Sequence, residues 1–135
     1  MRSALRIITT LMGVGFTLQG VGWLVAPDRA AASLGMPVLD GLARSTQFGD
    51  FAAFFLTLGL SILAGSLGGR HRRLHFPAAL LGSAAICRTI AWAAHGADFA
   101  SIFIAVELSG SLILLAAAQQ PSHDVVRESL RLESR

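Results

Sequence analysis

Four apolar stretches, each near the length a helix needs to cross a hydrocarbon core, occupy most of this chain of 135 residues. A core of about 30 Å takes about 20 residues at the helical rise. The stretches place spans at 5–26, 46–67, 76–95 and 99–119. Too little is left over for an extramembrane domain. Composition agrees: 53% hydrophobic and 14% charged residues lie outside the soluble range, as does a mean hydropathy of +0.62. The expected fold is an all-α integral membrane four-helix bundle over residues 1–120, followed by a charged tail, 121–135.

Arg2 and Arg6 before an apolar run also suit a signal peptide, but the run exceeds the usual 7–15-residue apolar region and ends in a poor cleavage site, Val25-Ala26-Pro27-Asp28. A retained first span is expected. The formal charge of +3 invites a nucleic-acid reading, and its placement argues against one. Arg2 and Arg6, Arg70 with Arg72 and Arg73, and Arg127, Arg131 and Arg135 fall in segments that four spans bring to one side. The positive-inside rule makes that side cytoplasmic, with both termini there. The expected location is the inner membrane of a bacterial cell, with lipids as partners and another membrane protein or a second copy as further candidates.

Punctuation supports the spans. Pro27 ends the first helix after Trp23, an aromatic suited to the membrane interface. Asp28 can cap a short helix over Ala30-Ala31-Ala32-Ser33-Leu34, which ends at Gly35. Asp40 or Ser45 can cap the second span, Gly68-Gly69 ends it, and His95-Gly96-Ala97-Asp98 turns between the last two. Small residues at packing intervals (Gly13, Gly15, Gly20 and Gly22; Ser61 with Gly65; Ala105 with Ser109) favour packing within the chain over a dimer seam.

Each span carries polar residues: Gln19, Asp50, Arg88 with His95, and Glu107. Charges at bilayer depth are costly and are normally kept for a role. Counting helical rise places Gln19, Arg88 and Glu107 at one level, roughly 18 Å from the terminal side. Asp50 and His95 lie above them, at roughly 25–28 Å. Arg88 shares a face with Trp92 and His95, and its guanidinium is the natural hub, holding Glu107 and reaching toward Asp50. Two carboxylates against one arginine leave a negative excess. A proton, His95 paired with Asp50, or Arg44 reaching down can relieve it; Arg44 and Asp98 are the outer-interface support. The network is either a clasp that fixes helix register or a proton-titrating group.

Other chemistries fit poorly. Asp50, His95 and Glu107 are acceptable metal ligands, but Arg88 competes for the same oxygens and no tight ligand motif occurs. A bis-histidine haem lacks its second intramembrane histidine, since His71, His75 and His123 fall outside the spans. Cys87 points away from Arg88 and reads as a packing thiol. No cofactor is implied. Phe54, Trp92 and Phe103 can line a pocket for a small amphipathic ligand.

Arg44 with Gly49-Asp50, then Arg88, His95-Gly96 and Glu107, resembles the pattern of a family of small bacterial four-span membrane proteins catalogued as a domain of unknown function. That family tends to carry Arg before Gly-Gly, and Arg…Asp-Gly…Glu across helices three and four. Asp50 here replaces a glycine and His95 an aspartate. The resemblance implies a four-helix membrane fold and no activity. The expected role is a non-enzymatic accessory or assembly subunit, or a binder of a small amphipathic ligand. The alternative is a proton-coupled transporter or channel using Asp50, His95 and Glu107.

In a Cys87→Ser background, an impermeant maleimide applied to intact cells should label Ala97→Cys and spare His71→Cys and His123→Cys. Equal labelling of all three would overturn the assignment of both termini to the cytoplasmic side.

Overall fold

A computed structural model describes residues 2–120. It contains α1 (Arg2–Val25), α2 (Pro27–Ser33), α3 (Gly41–Leu67), a 3-10 turn (His71–Leu74), α4 (His75–His95) and α5 (Ser101–Ala118), with no strand among the described residues. Four of these helices, α1, α3, α4 and α5, are long and apolar enough to cross a membrane. Ile7, Leu11 and Leu18 on α1, Ile86 and Ile90 on α4, and Ile102 and Leu112 on α5 point outward. Such a surface belongs in hydrocarbon. The protein is a multi-pass, all-α membrane bundle. The expected tail, 121–135, with Arg127, Arg131 and Arg135, lies outside the described residues.

The breaks follow from proline and glycine chemistry. Pro27 cannot continue α1, and its fixed φ suits the first position of α2. The short helix therefore starts at Pro27, earlier than expected, and Asp28 sits in its first turn without making a capping bond. Gly35 and Gly96 adopt left-handed φ values of 71° and 68°, which ends α2 and α4 without a Cβ clash. The helix α3 begins at Gly41, ahead of the apolar span, with Asp40 at its N-cap position. Asp40 makes no capping bond there; its carboxylate takes Arg44 at 3.1 Å.

The bundle is two antiparallel pairs. The helices α1 and α3 pack closely along their length, as do α4 and α5, and contact between the pairs is thin. Glycine permits the first close approach. A Cβ on Gly59 would meet Thr17 N at 2.5 Å and Gly13 O at 2.8 Å, and one on Gly20 would meet Leu56 N at 2.7 Å. Gly13 and Gly20 thus serve packing within the chain, while Gly15 meets nothing within 4 Å. Hydrogen bonds repeat the pairing. Ser66 Oγ donates to Thr9 Oγ1 at 2.9 Å across α1 and α3, and Ser111 Oγ donates to Ala78 O at 2.9 Å across α4 and α5.

Apolar packing joins the pairs at the end that holds Arg2 and Ala118. Leu58 and Ile62 of α3 meet Leu74 of the 3-10 turn, Leu81 of α4 and Leu114 of α5, all fully or almost fully buried. The opposite end has a core of its own, made by Trp23, Ala30, Ala31, Ala52 and Phe55. Trp23 is fully buried rather than at a lipid interface. Folding α2 back over α1 covers it, and its indole stacks on Phe51 with centroids 4.9 Å apart. Gln47, also buried, clamps the following loop: its amide donates to Pro37 O at 3.0 Å and accepts from Leu39 N at 3.0 Å.

Gly59→Ala should lower the thermal midpoint in detergent by an amount equivalent to about 1–3 kcal/mol, because backbone must move to admit the methyl. Gly15→Ala, with open space around it, should be neutral. Equal midpoints for the two variants would show that α1 and α3 do not approach as described.

Candidate functional site

Thin contact between the pairs leaves a cavity of about 640 Å³ at the α2 half of the bundle. The apolar wall comes from α-helical spacing that stacks rings on one face: Phe51 with Phe55 on α3, and Phe16 on α1 opposite them. Phe16 and Phe55 stack with centroids 6.2 Å apart, and Phe54 meets Phe55 edge-on at 5.2 Å. Leu81, Ala84 and Arg88 contribute one face of α4, and Phe103 and Glu107 one face of α5.

The expected contact between Arg88 and Glu107 is present. Arg88 Nε donates to Glu107 Oε1 at 2.7 Å, and the guanidinium carbon lies 4.9 Å from the centroid of Phe103. Glu107 is 8% exposed, and its Oε2 is buried without a hydrogen-bond partner. Arg88 is the open member of the pair, its side chain 36% exposed. Both residues belong to the α4–α5 pair. The bond therefore fastens one half of the bundle and does not span the seam. Asp50, from α3, lines the same cavity, is exposed, and has no hydrogen bond or ion pair among the described residues.

Gln19 also borders the cavity, although its amide is committed elsewhere. It donates to Ser33 Oγ at 2.9 Å and to Ala30 O at 3.3 Å, tethering α2 to α1. The shared level inferred for Gln19, Arg88 and Glu107 thus yields one ion pair and a separate tether, because Gln19 sits in the other helix pair.

The upper tier does not form. His95 is exposed at the end of α4 and has no partner among the described residues, so it does not pair with Asp50. Trp92 turns to the α4–α5 connection and packs on Phe99, centroids 5.0 Å apart, so of the three expected pocket aromatics only Phe54 and Phe103 line the cavity. Arg44 does not reach down. Besides Asp40, it donates to Leu39 O at 2.7 Å, closing on its own loop. Asp98 is exposed in the α4–α5 connection. Asp50, His95 and Glu107 do not come together as a ligand set, and no group of three such residues does among the described residues. Cys87 is exposed on α4 rather than packed inside.

Sequence reasoning missed Phe16, Ser33 and Gln47. Phe16 carried a signal, since it shares a helical face with Gln19. Ser33 and Gln47 carried none, because each depends on how the α2 segment folds back.

A second groove, of about 370 Å³, runs between α1 and α5 past Gly15 and Ser109. Phe16 and Val106 line both spaces, so these two side chains stand between groove and cavity. No family model, curated protein or solved structure matches the chain.

Arg88→Leu should destabilise the protein far more than Glu107→Gln. The first strands a buried carboxylate, a loss of order 3 kcal/mol, the lower end for breaking a buried pair because Arg88 is open to the cavity. The second leaves a cation that still faces the cavity, and a carbonyl oxygen that still accepts from it. Thermal melts of both variants in one detergent measure this; a silent Arg88→Leu would remove the ion pair from the account.

Proposed function

We propose that this protein is a non-enzymatic membrane protein that binds a small amphipathic ligand in the cavity between its two helix pairs. The carrying observation is the cavity itself: about 640 Å³, walled by phenylalanines, with Asp50, Arg88 and Glu107 on its lining. Small-molecule sites combine that volume range with mostly apolar walls and a few polar groups that fix orientation. A purely structural polar network would bury its members against one another, whereas Asp50 and the outer side of Arg88 are left facing open space. In the proposed setting the protein lies in the inner membrane of a bacterium with both termini cytoplasmic, as a member of the four-span family its sequence resembles. Proton coupling drew its support from Asp50, His95 and Glu107 acting together. With His95 away from the cavity, ligand binding is the better supported reading.

Ala84 lines the cavity from α4, one helical turn before Arg88, and takes no part in the ion pair. Native mass spectrometry of the parent, released from a mild detergent, should show a retained small molecule or lipid, and Ala84→Phe should fill the space and lose it. Equal retention by parent and variant, or a bare parent, would overturn the proposal.

A further inference from the structure

Cavity charges narrow the ligand class, on the premise that the cavity is a binding site. Its lining carries two carboxylates, Asp50 and Glu107, and one cation, Arg88. Arg88 is committed on two sides, to Glu107 Oε1 and to the ring of Phe103. The side chains that might have balanced the second carboxylate lie elsewhere. Arg44 holds Asp40 and Leu39 O, and His95 stands exposed at the end of α4, off the cavity lining. Among the described residues the lining therefore holds one carboxylate more than it holds cations, and that carboxylate, Asp50, is open in a wall of low polarity.

Two independent observations point the same way. Glu107 Oε2 is buried without a partner behind the facing wall, so Arg88 compensates that carboxylate through one oxygen and has no share left for Asp50. The wall around Asp50 is rich in aromatic rings, with Phe51 and Phe54 near it on α3 and Phe16 and Phe55 also on the lining. Ring faces carry partial negative charge and attract cations, more strongly once water is displaced. Once a guest displaces water from the cavity, a carboxylate on its wall is costly unless it is paired. A protonated amine satisfies it, places its hydrogens on oxygen acceptors and lays its apolar body on the rings. An anionic ligand would meet the same wall with like charge.

We infer that the cavity takes an amphipathic monocation, an ammonium group on an apolar body, with Asp50 as its counter-charge. The ammonium sits against the Asp50 carboxylate at the mouth of the aromatic wall. Arg88 and Glu107, paired with each other, form the facing wall and leave Asp50 as the carboxylate open to the guest.

The test is a charge series on one scaffold: 4-phenylbutylammonium, 4-phenylbutanol and 4-phenylbutyrate, titrated calorimetrically into full-length protein in a non-ionic detergent near neutral pH. The ammonium should bind at least tenfold more tightly than the alcohol, and the butyrate most weakly. In Asp50→Asn the ammonium should lose its tenfold preference and bind no more tightly than the alcohol; Ala84→Phe should weaken ammonium and alcohol together. If the alcohol equals or exceeds the ammonium, or Asp50→Asn keeps the preference, the charge assignment fails and the binding cavity stands. If none of the three binds the parent, or Ala84→Phe binds them all as tightly, the binding cavity itself fails.

Discussion

Hydrocarbon offers no hydrogen bonds and only a weak drive to press one apolar helix on another, so helices in it associate through close packing and polar ties. Here both kinds of contact fall inside the pairs. Gly13, Gly20 and Gly59 bring the backbones of α1 and α3 together, and the Ser66–Thr9 bond adds to that contact. Arg88–Glu107 and Ser111–Ala78 do the same for α4 and α5. The cluster around Leu58, Leu74 and Leu114 secures the seam at one end, and among the described residues nothing comparable draws the pairs together at the other. The cavity follows from that distribution.

Most polar side chains act within a short reach, and their assignments decide which charges are left on the cavity lining. Gln19 and Ser33 fix α2 against α1; Gln47 fixes the loop that follows; Arg44 and Asp40 close the start of α3. Once these are paired, Asp50 is the charged group on the lining left without a partner among the described residues. It stands at the boundary of two tightly built halves, and on the proposed reading its counter-charge arrives with the ligand.

The number of spans, the breaks at proline and glycine and the pairing of Arg88 with Glu107 were legible in the sequence, because apolar length, proline, glycine and helical rise are local quantities. Equal depth from the helix ends does bring Arg88 and Glu107 into register. It misled for Gln19, because depth carries no information about which face meets which neighbour. The same blindness produced the pairing of Asp50 with His95: α3 and α4 barely touch, and the level of a residue on one says little about the other. Trp23 read as an interface residue for want of any sign that α2 would fold over it. Such returns depend on the turn at Pro27 and on the acceptors that Gln19 finds, neither of which a periodicity contains.

If the cavity takes a guest as proposed, the two side chains that line both the groove and the cavity, Phe16 and Val106, set the reservoir from which it is drawn. A solute dissolved among acyl chains reaches the groove directly, so its supply is governed by partition into the bilayer rather than by its aqueous concentration. Each added methylene contributes about 0.8 kcal/mol to that partition, close to a fourfold enrichment, before the site makes any contact. Chain length would then tune occupancy from outside the protein, leaving the walls to choose by charge and shape.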